Sequence, residues 1–239
     1  MKILIAIPVY NEEAILAENT TKLYDFLKKN IADDWRIIIT DNNSTDRTSD
    51  IGKDLEKKFG EIKYLHIPQK GKGRAIRAAW ESDDAEVYVF MDADLATDLS
   101  ALPALITAVG RENYDLAAGA RFHKNSKVKR SLLRKFISKI YRFVLHFMLS
   151  IKTKDAPCGF KAVNYKVVKN ILPQIKNNEW FFDTELVVLA EKENYKIKEI
   201  PVIWTEYKKI GRKSRVSFIK VSLGYLKEIW RLKKSYARN

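Results

Sequence analysis

The strongest constraint on this chain is an alternation. Runs that are close to continuously apolar, such as Lys2–Val9 (KILIAIPV), residues 36–40 (RIIIT) and residues 86–91 (EVYVFM), are separated by stretches with helical spacing. Residues 63–67 and 115–119 complete a set of strands. Helical patterns fill residues 12–30, the stretch from the 41–46 turn to about Gly60, residues 71–80 and residues 100–109. Strands that are apolar on both sides need cover on both sides, so the expected architecture is a parallel sheet with helices on its two faces. The 239 residues, 46% of them apolar, suffice for one large core. The single cysteine, Cys158, excludes an internal disulfide framework and suits a reducing compartment. There is no internal repeat and no low-complexity segment.

In such sheets ligands bind beyond the carboxyl ends of the strands. Unusual polar residues follow these strands: Pro8-Val9-Tyr10-Asn11-Glu12, Asp41-Asn42-Asn43-Ser44-Thr45-Asp46, Gly71-Lys72-Gly73-Arg74 and Asp92-Ala93-Asp94. If Asp92 and Asp94 continue the strand alternation they share a side and repel. Something positive should then sit between them, or one should hold a proton. Gly71-Lys72-Gly73 lacks the Gly-x4-Gly-Lys-Ser/Thr spacing of a P-loop, yet it suits backbone N–H groups and a cation meeting a phosphate. His66, His123 and His146 have no metal spacing.

The formal net charge of +14 is concentrated. Residues 121–154 carry 11 Lys/Arg and no Asp/Glu, and residues 208–239 carry 11 Lys/Arg and one acid, Glu228. Two basic blocks on a mildly acidic body point to an anionic partner. Each block holds a helical apolar pattern. In residues 131–151 it is Leu133, Phe136, Ile137, Ile140, Val144, Phe147, Met148 and Ile151. Near the C-terminus it is Phe218, Val221, Tyr225, Leu226, Ile229 and Trp230. The longest uncharged apolar candidate, residues 143–151, is far short of the ~18 residues a spanning helix needs, and the N-terminal run is too short for a signal peptide. Basic amphipathic helices without a span are expected to lie on a membrane surface. No helix-turn-helix, zinc or RNA-sheet motif supports a nucleic-acid partner.

PVYNEE, DNNSTDRT, GKGRAIRAAW and MDAD, in this order over residues 1–120, resemble the nucleotide-sugar-binding half of the large inverting glycosyltransferase family 2 with the GT-A fold. GARF (119–122), LLRKFISK (132–139), CGFKA (158–162), WFFDTEL (180–186), EIPVIW (199–204) and GRKSRV (211–216) look like the polyprenyl-phosphate group, which includes dolichyl-phosphate mannose synthases and glucosyltransferases. The resemblance implies a GT-A domain over residues 1–217, with the acceptor half at 121–217, and a separate basic helix at 218–239. It implies that Asp94, assisted by Asp92, serves Mg²⁺ or Mn²⁺ and the donor. It also implies that Pro8, Tyr10, Glu12, Asp41 and Lys72 frame the nucleotide sugar, with Ser214 and Arg215 closing over its phosphates. Arg121, Arg134 and Ser138 would bind the acceptor phosphate. Asp183 and Glu185 would lie near the sugar or acceptor, although helix chemistry alone makes Asp183 an N-cap and Glu185 a partner of the helix dipole. The residues themselves leave that choice open.

Mannose synthases of the group often carry Gln where this chain has Ala96, which cannot ligate a metal. The resemblance therefore tilts the donor from GDP-mannose towards UDP-glucose. The expected reaction is attack of a polyprenyl or dolichyl phosphate on the anomeric carbon with inversion, at the cytoplasmic face of a membrane. A membrane-anchored partner subunit is compatible with this picture. The competing expectations are transfer to a sugar or protein hydroxyl, with Asp183 as base, and a basic nucleic-acid- or lipid-binding module.

Overall fold

The computed structural model describes residues 1–206 and 218–236, with backbone alone for 132–134 and 218–223. The first half follows the expected alternation: β1 (Lys2–Val9), α1 (Leu16–Asn30), β2 (Asp34–Asp41), α2 (Thr48–Lys58), β3 (Ile62–His66), α3 (Lys72–Glu81), β4 (Val87–Met91), α4 (Leu102–Gly110) and β5 (Leu116–Ala120). The second half contributes β6 (Lys127–Lys129), α5 (Leu132–Leu149), β7 (Phe160–Asn164), α6 (Tyr165–Asn170), α7 (Phe182–Lys192), β8 (Ile197–Pro201), β9 (Ile203–Thr205) and α8 (Phe218–Tyr236). α1 starts later than its apolar spacing suggests. Asn11 is left-handed (φ 52°) and the Glu12 N–H is taken by Thr48 Oγ1 at 2.7 Å, so residues 12–15 form a turn before the helix begins.

Seven strands form the main sheet in the order β3-β2-β1-β4-β7-β5-β8, and β6 pairs with β9 in a small parallel ribbon. β1 to β4 are mutually parallel, with Ile5 facing both Ile37 and Val89. β7 runs antiparallel between β4 and β5, pairing Met91 with Phe160. Its amino end therefore lies where the parallel strands finish, which brings Cys158-Gly159 beside Asp92.

Alternation along β1 separates two cores. Ile3, Ile5, Ile7 and Val9 join α1, α2 and α4 on one face, while Leu4 and Ala6 join α3, α5, α6, α7 and α8 on the other. Burying each large apolar side chain contributes about 1.5–3 kcal/mol. α8 belongs to the second core, because Ile229 and Leu232 are fully buried in it.

α5 divides differently from its expected stripe. Leu145 and Leu149 enter the core, with Tyr141, Val144 and Met148 against it, whereas Phe136, Ile140, Phe143 and Phe147 face outwards. The outward set follows i, i+4, i+7, i+11 spacing. Ser150, left-handed at φ 53°, ends the helix, so Ile151 is buried beyond it rather than on the stripe.

Candidate active site

The first two polar loops are stitched into one frame. The Asn11 N–H donates to Ser44 Oγ at 2.8 Å, the Thr45 N–H donates to Asn11 Oδ1 at 2.6 Å, and the Arg47 N–H donates to Glu13 at 3.0 Å. Pro8 lies past the end of the β1–β4 ladder, which stops at Ala6 and Phe90. The Tyr10 hydroxyl accepts from Lys70 Nζ at 2.6 Å. Asp41 is fully buried, and its carboxylate accepts from the Ser44 N–H at 3.0 Å and from the Tyr64 hydroxyl at 2.7 Å. It braces the loop from within. Burial pushes the Tyr64 phenol up to about 12; the Asp41 hydrogen bond and charge add to this, while a Ser49 hydrogen bond opposes it.

β4 ends at Met91, so Asp92 and Asp94 lie in the turn that follows, where the Leu95 N–H reaches the Asp92 carbonyl and Leu95 is left-handed (φ 49°). The strand alternation expected for the pair stops before it. The cation is nonetheless present. Lys72 Nζ lies 2.8 Å from Asp92 Oδ1 and 2.8 Å from Asp183 Oδ2, so it links Asp92 to α7 rather than to Asp94. Burial pulls the Lys72 pKa down, but Asp183 and Asp92 overcome this and leave it raised. Gly71 and Gly73 permit the arrangement. Gly71 is left-handed (φ 144°) and a Cβ there would meet the Asn178 carbonyl at 2.4 Å, while a Cβ on Gly73 would meet Phe182 at 2.6 Å. Asp92 in turn rests on Gly159, where a Cβ would lie 2.2 Å from Oδ2.

Asp183 is the second residue of α7, not its cap, and its Oδ1 is buried with no hydrogen-bond partner among the described residues. An orphaned acceptor costs about 1–3 kcal/mol and is the kind of deficit a ligand donor meets. Glu185 has a different task. Fully buried, it accepts from the Lys176 and Asn177 N–H groups and from Arg231 of α8 at 2.7 Å.

Near enough to Asp92 to feel its charge, Arg121 forms a fork with buried Asp155 through Nε and Nη2, both at 2.8 Å. Burial works against the Arg121 charge, but Asp155 outweighs it and raises its pKa further. Trp204 lies 5.8 Å from Arg121 and 5.4 Å from Arg130, and Arg130 donates to Ser138 Oγ at 2.7 Å. Arg134 is the third residue of α5, one turn before Ser138. Ser214 and Arg215 lie outside the described residues.

Residues 4–172 match the family model for Glycosyl transferase family 2. The chain belongs to that family. It is 31% identical over 223 residues to dolichyl-phosphate beta-glucosyltransferase of Saccharomyces cerevisiae, covering 84% of this chain and 66% of the yeast protein. It is 30% identical over 210 residues to Glycosyltransferase AglD of Haloferax volcanii, covering 85% of this chain and 33% of that protein. The chain therefore spans from a third to just under two thirds of these relatives' lengths. Its fold matches glucosyl-3-phosphoglycerate synthase from Mycobacterium tuberculosis, solved with Mn²⁺, uridine diphosphate and glucosyl-3-phosphoglycerate, with a TM-score of 0.63 at 16% identity over 96% of this chain and 76% of that one. The fold is that of the GT-A glycosyltransferases.

In this family member Asp92 and Asp94, both on the turn after β4, are the oxygen donors that could hold a hard divalent ion. Among the described residues no group of three or more His, Cys, Asp or Glu could hold a metal. A hard ion on Asp92 and Asp94 would therefore complete its shell with diphosphate oxygens and water, as Mg²⁺ usually does. Four supporting residues were missed in the sequence: Gly159, Asp155, Arg130 and Lys161. Asp155 had a signal, since it is the first acid after the basic block of residues 121–154. Lys161 had none. It is fully buried beside Phe90 and donates to the Cys158 carbonyl; burial lowers its pKa against the pull of Asp183.

Proposed function

We propose that this chain transfers a hexose, glucose by preference, from a nucleoside diphosphate to a polyprenyl phosphate of the dolichyl type, inverting the anomeric centre. The observation that carries the reading is the pair of charged assemblies near Asp92: the Lys72–Asp183 link that holds it, and Arg121, whose charge it reaches, with Arg130 and Ser138 about Trp204. Carboxylates at the strand ends suit a metal-bound diphosphate, and arginines suit a phosphate, Arg121 through the donors that its fork to Asp155 does not use. The name of the yeast relative supports both the sugar and the acceptor.

In this reading Tyr10, Glu12 and the loop braced by Asp41 frame the nucleoside. Asp94 and Asp92 hold Mg²⁺ or Mn²⁺, which when bound supplies counter-charge for the departing diphosphate. Lys72 fixes the Asp92 and Asp183 carboxylates relative to each other. Arg121, Arg134 and Ser138, joined by Arg130, hold the acceptor phosphate in line with the anomeric carbon. That phosphate is already ionised at neutral pH, so no side chain has to remove a proton, and the work is positioning and charge stabilisation. A hydroxyl acceptor would need Asp183 as base, yet the Lys72 ammonium already donates to Asp183 Oδ2.

The same reading places the protein at the cytoplasmic surface of a membrane, whether docked directly or through a membrane-anchored subunit. No helix among the described residues is long and apolar enough to cross one. The test supplies UDP-glucose and GDP-mannose in turn, with a short polyprenyl phosphate and Mn²⁺, and follows sugar into the lipid phase. Transfer from UDP-glucose, lost on chelation and in Asp94→Ala, is expected. Sugar appearing on a hydroxyl acceptor while the lipid phosphate stays unmodified would overturn the reading.

A further inference from the structure

Trp180 is a large aromatic residue that the roles above leave unused. It is 44% exposed although Phe181 and Phe182, next in the chain, are buried. Its ring centroid lies 5.5 Å from Lys72 Nζ, so the indole borders the Asp92–Lys72–Asp183 cluster. The segment carrying it is tied down on three sides. Glu185 accepts from the Lys176 and Asn177 N–H groups. The Asn178 carbonyl accepts from the Arg74 N–H at 3.0 Å, at the close approach that Gly71 permits. The Tyr225 hydroxyl of α8 donates to the Trp180 carbonyl at 3.2 Å. A half-exposed indole carried on backbone held this firmly is in large part preorganised, because the entropy of ordering its segment is spent before any ligand arrives.

We propose that Trp180 is the platform on which the hexose ring of the donor lies, and that it is thereby a specificity-determining residue. The inference rests on the nucleotide-sugar reading of the site. Apart from the anomeric centre, glucopyranose carries its hydroxyls equatorially, so its ring C–H bonds form apolar faces that suit an indole, while the hydroxyls at its rim reach polar groups. Such groups are at hand: Asp183 Oδ1 lacks a hydrogen-bond partner among the described residues and belongs to the same cluster. A few convergent polar groups around an aromatic surface is the usual make-up of a small-ligand site. Lys72 beside the ring is paired with two carboxylates, so the trio carries a net charge of −1 and presents acceptors rather than a bare cation to sugar hydroxyls. The isoprenoid tail of the acceptor is the other candidate occupant. It is favoured less, because the outward residues of α5 and α8 already offer an apolar surface and Trp180 sits among the charges of the donor side.

Calorimetric titration of the full chain with UDP and with UDP-glucose, both with Mn²⁺, tests this on wild type, Trp180→Ala and Trp180→Phe. UDP has no hexose, so its affinity should stay within about twofold in both variants. UDP-glucose affinity should fall by about tenfold in Trp180→Ala, the scale of one lost aromatic contact, and recover in large part in Trp180→Phe. Equal losses for both ligands would mean a structural role and overturn the platform, as would no loss for either. A raised KM for polyprenyl phosphate with unchanged UDP-glucose binding would assign the indole to the acceptor tail instead. A wild-type protein that binds neither ligand would break the donor reading itself, and the platform with it.

Discussion

Gly159 leaves no room for a side chain, and the reason is the Asp92 carboxylate. In Gly159→Ala the new methyl would sit 2.2 Å from Oδ2, and Asp92, at the surface end of the contact, is the group that must move. The fold should survive, because the displaced group is partly solvated. Turnover should fall by about 10²-fold, the scale expected when a reacting group shifts by an ångström. Assay beside thermal unfolding separates the two effects; an unchanged kcat with a lowered Tm would remove Gly159 from the catalytic account. Neighbouring Cys158 gives a second check. Burial pushes its thiol up to about 11, Arg121 opposes this and Asp155 reinforces it. Alkylation at neutral pH should be negligible until the protein unfolds. The sign follows from the raised value: the thiol's contribution to stability is complete below its ordinary pKa of 9.0 and is lost as pH rises through about 11. Native protein modified as fast as a free thiol would contradict that burial. At this scale Asp92 and Asp94 were legible, because charges after an apolar strand stand out. Lys72's partner across the site was not, since residues 72 and 183 meet only through the packing of α3 on α7.

The helices were legible as helices, but their inner faces were not. α5 and α8 are apolar on more than one side, so spacing cannot say which side the core takes. The structure resolves this by packing Leu145 and Leu149 of α5 with Ile229 and Leu232 of α8, while Phe136, Phe143, Phe147 and Trp230 remain outside. β7 was invisible as a reversed strand for a related reason, because parallel and antiparallel neighbours share the same two-sided apolar pattern. The inward set makes α8 structural as well as basic. Ile229→Ala should cost about 2–5 kcal/mol, the range for emptying a buried large aliphatic site. Arg231→Ala should also destabilise, since buried Glu185 would lose its 2.7 Å partner while still holding the segment that leads to Trp180. Denaturant unfolding measures both. If Ile229→Ala changed stability by less than about 0.5 kcal/mol, the range of surface substitutions, α8 would have to be regarded as a detachable appendage.

For the molecule as a whole, the positive charge and the outward apolar residues coincide. α5 lies inside the block of residues 121–154 that carries 11 Lys/Arg and no acid, and it presents Phe136, Ile140, Phe143 and Phe147 at helical spacing. α8 adds Leu226 and Trp230, with Lys234 Nζ lying over the Trp230 ring. An exposed aromatic row rimmed by cations matches an anionic leaflet, where each nearby Lys or Arg contributes about 1 kcal/mol. The attraction decays over a Debye length of about 8 Å at physiological salt, whereas burial of a phenylalanine, about 1.5–3 kcal/mol, does not depend on screening in this way. The two contributions can therefore be separated. Sedimentation with phosphatidylserine-containing vesicles should show binding at low salt that weakens but does not vanish at high salt. Phe143→Asp combined with Phe147→Asp should remove most of the salt-resistant part and leave UDP-glucose affinity unchanged, because neither side chain belongs to the donor site. An intact protein that stays in the supernatant at low salt would exclude direct docking. The aromatic row would then have to be covered by a protein anchored in the membrane, and recovery of vesicle binding on adding solubilised membrane proteins would show it.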